Sequence, residues 1–198
     1  MILYKLAHIL RDKFFFVWNA VEWVNSFFFV ALRKRKLLKI SEILESFKDE
    51  YEYRETSVND VHILAKFFAE QPVESFEFFS PHAFDETALC RVIKNRAFLT
   101  FVVLDGDKIV GYFFLRCFMN GKAFRGKFVD YRYRGKGIAK RQGYAMTKIA
   151  QALNVRVFET ISPENYASLA SSKAVNEVRI LKTLDNGYYY IEDLPKEC

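Results

Sequence analysis

The chain has 198 residues, of which 51% are hydrophobic, so it is long and apolar enough for a domain with a core plus an appendage. The net charge of +6 comes mostly from the first 48 residues, and the remainder lacks the broad basic face of a nucleic-acid-binding protein. Cys90, Cys117 and Cys198 lie far apart, with no histidines at metal-ligand spacing. We therefore expect a reduced, metal-free protein of the cytoplasm that binds no nucleic acid.

The N-terminal segment is rich in apolar and aromatic side chains. Residues 1–32 contain no Pro or Gly, which predicts one or two helices. The run from Phe14 to Leu32 is long enough to span a bilayer, but Glu22 in its middle costs roughly 2.5 to 3.5 kcal/mol on insertion scales. We therefore expect this helix to lie in a membrane interface, with its Trp and Phe side chains immersed and its polar stripe in water.

A basic cluster, Arg33-Lys34-Arg35-Lys36, follows this apolar run directly. Basic side chains next to an anionic cytosolic leaflet gain about 1 kcal/mol each, so the cluster favours peripheral binding to the cytosolic membrane face. Packing of the helix on the catalytic domain, or in a homodimer interface, is the open alternative. Residues 37–50 continue the helical pattern, and we place the end of this extension at residue 50.

From Tyr51 onward, strand and helix patterns alternate. Strands are predicted at 51–56, 97–104, 109–119, 122–129, 155–160, 178–184 and 187–192, and helices at 57–70, 74–95 with a break at Ser80-Pro81, 138–153 and 163–174. Ser57 is the expected N-cap of the first of these helices. Asp105-Gly106-Asp107-Lys108 and Asp185-Asn186-Gly187 are typical hairpin turns. This order of elements indicates an α/β (α+β) domain over residues 51–198.

The turn after the strand that ends at Val129 carries the main functional signal. Gly135 and Gly137 allow the backbone to approach a ligand without a Cβ, and the helix that follows presents free N–H groups to an anion. The cations around the turn are Arg134, Lys136, Lys140 and Arg141. A phosphate or pyrophosphate is therefore the expected ligand. The turn is too short for a Walker loop and lacks the third glycine of the dinucleotide fingerprint, which argues against nucleoside triphosphates and NAD.

The stretch Arg134-Gly135-Lys136-Gly137-Ile138-Ala139 resembles the acetyl-CoA loop Gln/Arg-x-x-Gly-x-Gly/Ala of the GNAT (Gcn5-related) N-acetyltransferase family. Val129 stands where the preceding strand of that family commonly ends in valine, although the proline often found two residues later is replaced by Tyr131. Asn165 lies in a segment similar to the family's Asn-x-x-Ala/Ser. The resemblance covers roughly residues 51–193 and leaves the N-terminal extension outside it.

This resemblance implies a GNAT fold, with a mixed, mostly antiparallel twisted sheet flanked by helices, and acetyl-CoA as cosubstrate without a metal. The cofactor-binding residues that it implies are Val129, Arg134, Gly135, Lys136, Gly137, Ile138, Ala139 and Asn165. In the family the turn amides hold the pyrophosphate, and the strand backbone at Val129 would face the acetyl group. The Asn165 amide would contact the pantetheine region, with helix capping as the alternative role.

The catalytic groups are less clearly implied by the resemblance. Seven residues after Asn165 the family often has a tyrosine as general acid, and here Ser172 stands at that position. Tyr166 is the candidate replacement, with protonation of the thiolate by water as the alternative. The candidates for a general base are Glu159, Asp130 and His82, and each has a packing or surface role as its alternative.

The expected function is transfer of an acetyl group from acetyl-CoA to the primary amine of a small molecule. The aromatic side chains near His82 and the membrane-facing extension favour an amino sugar in envelope glycan synthesis as the acceptor. Two alternatives stay open: acetylation of a protein or peptide amine, and a non-catalytic, membrane-associated module that binds acyl-CoA.

Overall fold

The computed structural model of the protein describes residues 15–196, with side-chain surroundings from residue 20 onward. The predicted helix before Phe15, the Trp18 and Asn19 side chains and Cys198 therefore lie outside the described residues. The helices are α1 (Phe15–Leu37), α2 (Ile40–Glu45), α3 (Val61–Ala69), α4 (Glu86–Lys94), α5 (Ile138–Leu153) and α6 (Tyr166–Val175). The strands are β1 (Glu52–Glu55), β2 (Phe98–Asp105), β3 (Lys108–Cys117), β4 (Lys122–Val129), β5 (Arg156–Ile161), β6 (Asn176–Thr183) and β7 (Tyr189–Pro195).

The seven strands form one open sheet in the order β1-β2-β3-β4-β5-β7-β6. Every neighbouring pair is antiparallel except β4 and β5, which run parallel. Both predicted hairpins are present, with Gly106 and Gly187 at positive φ in their turns. The predicted fold class, a mostly antiparallel sheet flanked by helices, is confirmed.

Helices cover both faces of the sheet, and each face has its own core. On one face α1, α2 and α5 contribute Phe29, Ile40, Leu44 and Met146, all at most 1% exposed. On the other face α3 and α4 contribute Leu64, Phe67, Phe68 and Leu89 to a second core. This second core contains a dense group of aromatic rings, in which Phe68 stacks on Phe84 with ring centroids 4.1 Å apart. Many of the phenylalanine side chains therefore pack on one face of the sheet.

The helix predicted from Ser57 begins with a 3-10 turn, Val58–Asp60, that leads into α3. Ser57 and Asp60 form a reciprocal capping box, in which the Ser57 side chain accepts from the Asn59 backbone and Asp60 accepts from the Ser57 backbone N–H at 2.7 Å. Arg54 of β1 donates two hydrogen bonds of 2.8 Å to the same carboxylate. The predicted cap is thus confirmed, and it also ties α3 to β1.

Helix α1 lies against the sheet with an orientation opposite to the predicted one. Glu22 accepts hydrogen bonds from Asn95 and from Arg116. Asn25 donates to the Cys117 carbonyl at 3.0 Å and accepts from the Met119 backbone N–H at 2.9 Å. The prediction that the polar stripe faces water is therefore wrong for these two side chains, because they bond to polar groups at the ends of β3 and α4.

The opposite face of α1 is apolar and exposed. Trp23 is 67% exposed and Phe27 56%, and Trp23 stacks on Phe27 with ring centroids 5.7 Å apart. Val21, Val24, Phe28 and Leu32 extend the same surface. Between residues 15 and 196, none of the helices combines the length and the apolar character needed to cross a bilayer.

Candidate active site

A gap between β4 and β5 creates the main opening in the sheet. The two strands pair only from Lys122 to Phe124 on β4 and from Arg156 to Phe158 on β5. Beyond these residues the strands diverge, and a cavity of about 1200 Å³ fills the space between them and the helix starts of α5 and α6. Its lining residues include Val129, Arg134, Gly135, Gly137, Ile138, Ala139, Lys140, Glu159, Asn165 and Ser168. Most of the predicted cofactor-binding residues thus meet at one cavity.

The glycine turn is shaped to leave its backbone uncovered. Gly135 has φ +79° and Gly137 has φ +80°, values that L side chains rarely adopt. A Cβ added at either position would meet nothing within 4 Å, so the space beside the turn is open. Gly137 is the N-cap of α5, and no side chain in the described part of the chain caps this helix. The first N–H groups of α5 therefore point toward the cavity side of the turn as anion donors.

The cations near the turn do not all face the cavity. Arg134 lines the cavity and donates a hydrogen bond of 2.8 Å to the Ser75 hydroxyl on its far side, and Lys140 also lines the cavity. The Lys136 ammonium lies over the Tyr133 ring, 4.6 Å from its centroid. Arg141 forms an ion pair with Asp49, so the prediction that it contributes charge to this opening is wrong. The position of Arg141 in the first turn of α5 directs its side chain toward the loop that follows α2.

Asn165 has the capping role that the sequence offered as an alternative, and it also lines the cavity. Its side chain accepts a hydrogen bond of 3.0 Å from the Ser168 backbone N–H and so caps α6. The same residue lines the cavity, as do Ala167 and Ser168 in the first turn of the helix. Val129, at the end of β4, lines the cavity from the opposite wall.

The predicted general bases differ sharply in their surroundings. Glu159 of β5 lines the cavity and accepts a hydrogen bond of 2.8 Å from the buried Arg125. Burial opposes its charge, but Arg125 outweighs that effect and lowers the pKa of Glu159, which makes it a weak base. Asp130 is fully buried, and its hydrogen bonds from Arg132 outweigh burial and lower its pKa as well. Asp130 thereby shapes the entry to the glycine turn.

His82 lies among the aromatic rings of the second core. Its Nδ1 is 2.8 Å from the Ala83 carbonyl oxygen and must donate to it, while Nε2 is 3.0 Å from the Tyr112 hydroxyl. Burial lowers the pKa of His82, so the ring is neutral at pH 7. Both ring nitrogens are therefore engaged, and the ring packs edge-on against Phe84 and Phe98.

The two residues considered for proton donation occupy different environments. Tyr166 is 76% exposed at the start of α6, next to Ala167 of the cavity wall. Ser172, one and a half turns further along α6, is fully buried and lies next to Glu159. The hydroxyl that replaces the family's tyrosine thus faces the carboxylate at the base of the cavity.

A buried charge cluster at this base was missed by the sequence reasoning. Arg125 of β4 lies 2.8 Å from Glu159 and 2.8 Å from Asp193 of β7. Lys127, two residues further along β4 and on the same face as Arg125, also lines the cavity. The signal for this cluster was the spacing of Arg125 and Lys127, because residues two apart on a strand place their side chains on the same face of the sheet.

Burial and neighbouring charges shift the titration of this cluster. Burial, reinforced by the Glu159 charge, raises the pKa of Asp193. Burial and repulsion by Arg125 lower the pKa of Lys127 to about 8, although Glu159 and Asp193 oppose the change. Between residues 15 and 196 there is no group of three or more His, Cys, Asp or Glu side chains arranged to hold a metal ion.

Comparison with known proteins gives a consistent fold. The sequence matches no family model and no curated protein. Among solved structures, the ribosomal-protein-S5-alanine acetyltransferase of Vibrio fischeri is 18% identical, with a TM-score of 0.60 over 76% of this chain and 96% of its own. The PaiA N-acetyltransferase of Thermoplasma acidophilum, in complex with coenzyme A, is 16% identical, with a TM-score of 0.61 over 74% of this chain and 99% of its own.

A third similar structure is YncA from Salmonella typhimurium with its cofactor acetyl-CoA, 13% identical, with a TM-score of 0.58 over 76% of this chain and 100% of its own. All three similarities cover nearly the whole of the other protein. The chain therefore has the fold of the GNAT acetyltransferases, as the glycine turn indicated.

Proposed function

We propose that this protein is an acetyl-CoA-dependent N-acetyltransferase that acts on the primary amine of a small molecule. The observation that carries the proposal is the glycine turn, whose uncovered amides lie beside a gap between two parallel strands. The N–H groups from Gly135 to Ala139 would hold a pyrophosphate, with Arg134 and Lys140 adding positive charge. The gap between β4 and β5 would admit the pantetheine chain. Acetyl-CoA supplies an acetyl group activated as a thioester.

The proposed acceptor side of the cavity is the part of its wall that contains Glu74 and Glu77. Glu74 and Glu77, both exposed, line it and would attract an amine in its cationic form. Aromatic side chains also line the cavity: Phe78, Phe79, Phe98, Phe114, Phe124 and Phe128. A ring with an apolar face and an amino group, as in an amino sugar, matches this combination of aromatic and acidic side chains.

The full chain should release coenzyme A thiol when it is mixed with acetyl-CoA and an amino sugar. The measurement is free thiol over time across a panel of amino sugars, other small amines and peptides, with calorimetry of coenzyme A binding in parallel. If thiol is released faster with peptides than with small amines, the acceptor is a protein or peptide amine instead. If the protein binds coenzyme A but releases thiol with none of the amines in the panel, it is a non-catalytic acyl-CoA-binding module.

We further propose that the outer face of α1 binds the anionic cytosolic surface of a membrane. Its exposed side chains, Trp23, Phe27, Phe28 and Leu32, are apolar, and Lys34 and Arg35 are exposed directly after them. Aromatic side chains beside exposed cations are typical of interfacial helices on anionic lipid. This proposal keeps the protein in the cytoplasm, with residues 1–50 as the membrane-binding extension and residues 51–198 as the catalytic unit.

Membrane binding should depend on the charges at the end of α1. Replacing Lys34 and Arg35 by Gln removes about 2 kcal/mol of attraction, which corresponds to roughly 30-fold weaker binding to vesicles that contain anionic lipid. The measurement is flotation of the full chain with anionic and with neutral vesicles. The matched control replaces Lys173 and Arg179, which are also exposed, and should float like the parent protein. If the parent protein ignores anionic vesicles and forms a dimer by light scattering, the apolar face is a dimer interface instead.

A further inference from the structure

Gln71 is a buried polar residue that connects helix α3 to the approach to the glycine turn. It follows the last residues of α3 and is 7% exposed. Its side-chain nitrogen Nε2 donates to the Phe67 carbonyl at 3.1 Å, and its side-chain oxygen Oε1 accepts from the Tyr131 backbone N–H at 3.2 Å. Both ends of the amide group are therefore used, one on the helix and one on the segment that leads into the turn.

The segment that Gln71 contacts is a single 3-10 turn, Tyr131–Tyr133, between β4 and the glycine turn. Asp130 is the N-cap of this 3-10 turn, and its side chain accepts from the Arg132 backbone N–H at 2.9 Å. Gly135, at φ +79°, follows two residues after the 3-10 turn ends. The conformation of the 3-10 turn therefore decides where the amides of the glycine turn are placed.

The Tyr131 N–H depends on Gln71 for a partner. Tyr131 is the first residue of the 3-10 turn, and N–H groups at the start of a helix have no acceptor within that helix. This N–H lies in a partly buried position, so without the Gln71 oxygen it would favour conformations in which it reaches water. The Gln71 oxygen thus stabilises one conformation of the segment before the glycine turn.

We propose that Gln71 is a positioning residue for acetyl-CoA, an inference that rests on the proposed acetyltransferase function. Gln71 is not among the residues that line the cavity. It acts by holding the segment before Gly135 in the conformation that presents the turn amides to the pyrophosphate. A protein that adopts its binding conformation for only a fraction of the time binds its ligand more weakly by that fraction. Gln71 therefore raises the affinity for the cosubstrate without contacting it.

Replacing Gln71 with Met should raise the Kd for coenzyme A about threefold to tenfold. Met is about as long and flexible as Gln but lacks the oxygen that the Tyr131 N–H needs, and the loss of one hydrogen bond corresponds to a factor of this size. The measurement is isothermal calorimetry of the full chain with coenzyme A, on protein shown to be folded by circular dichroism. Gln71→Leu repeats the test. Gln151→Met is the matched control, because Gln151 is exposed on α5, and it should bind like the parent protein.

A proline at position 131 separates positioning from a general loss of stability. Proline has no N–H and needs no acceptor, and its φ of about −65° suits the first residue of a 3-10 turn. Asp130 before it has ψ 130°, a value that residues before proline prefer. Adding Tyr131→Pro to Gln71→Met should therefore restore the Kd to within about twofold of the parent value. Adding Tyr131→Ala, which removes the same ring but keeps the N–H, should restore nothing.

Hydrogen exchange of the protein without coenzyme A tests the same segment directly. The Arg132 and Tyr133 backbone N–H groups both bond to Asp130, so their exchange reports opening of the 3-10 turn. Both amides should exchange about threefold to tenfold faster in Gln71→Met than in the parent protein. They should return to parent rates when Tyr131→Pro is added.

The outcomes separate this inference from the function on which it rests. An equal Kd in the parent protein and Gln71→Met, or a loss that Tyr131→Pro does not repair, would overturn the role of Gln71 while the acetyltransferase proposal stands. Weaker binding of coenzyme A with unchanged exchange at Arg132 and Tyr133 would also overturn it, because Gln71 would then not hold this segment. A parent protein that does not bind coenzyme A would reject both proposals at once.

Discussion

Replacing Gly137 with Asp should weaken coenzyme A binding at least about 100-fold. The new carboxylate would stand in the open space beside the turn, where the pyrophosphate is proposed to lie. Two unit charges 4 Å apart repel by about 4 kcal/mol at an effective dielectric of 20, and partial screening by solvent still leaves the roughly 2.7 kcal/mol that a 100-fold change requires. Isothermal calorimetry with coenzyme A measures the effect directly.

The matched control at this position is Gly137→Asn. Asn and Asp have nearly the same shape, and both tolerate the left-handed backbone that φ +80° requires, so the two variants differ mainly in charge. We expect Asn to cost less than tenfold in affinity. Gly106→Asp adds the same carboxylate at another open turn glycine, φ +57°, away from the cavity, and should bind like the parent protein. Equal losses for Asn and Asp would mean that the turn does not face a phosphate.

The order of elements could be predicted because local signals are strong from Tyr51 onward. The Asp105–Lys108 turn, the Ser57 cap and the apolar periodicity each depend on a few neighbouring residues. The pairing order β5-β7-β6 could come only from the family resemblance, since nothing local places a C-terminal hairpin beside β5. The orientation of α1 was mispredicted because Glu22 and Asn25 bond to groups 73 to 94 residues away in the sequence.

The candidate site likewise has one part that local sequence predicts and one part that depends on contacts between distant residues. The anion-binding turn is a contiguous segment, so its glycines, cations and helix start could be identified together. The buried cluster draws Arg125, Glu159 and Asp193 from three strands. Only the sheet register brings the two carboxylates within 2.8 Å of the Arg125 guanidinium. Glu159 was considered as a base because its partner could not be seen in the sequence. Arg125 changes its chemistry from proton acceptor to fixed anion.

The two adjacent residues Phe28 and Phe29 should separate stability from membrane binding. Phe29 is 0% exposed in the core that α1 shares with α5, and the Arg33 guanidinium lies 5.2 Å from its ring centroid. Phe28, the next residue, is 46% exposed on the outer face. Phe29→Ala should lower the free energy of unfolding by about 3 to 5 kcal/mol, because it removes a ring from a packed site and leaves a cavity. Phe28→Ala should cost less than about 1 kcal/mol.

Urea unfolding followed by circular dichroism measures both changes, and for a protein of this size Phe29→Ala should lower Tm by roughly 6 to 20 °C. Vesicle flotation should rank the two variants in the opposite order. Phe28→Ala should bind vesicles more weakly, and folded Phe29→Ala should bind them like the parent protein. The helix presents one ring to the core and the adjacent ring to lipid, so each substitution removes only one of the two contacts. If Phe29→Ala is no less stable than Phe28→Ala, α1 is a loosely attached extension and its contacts with the sheet contribute little to folding.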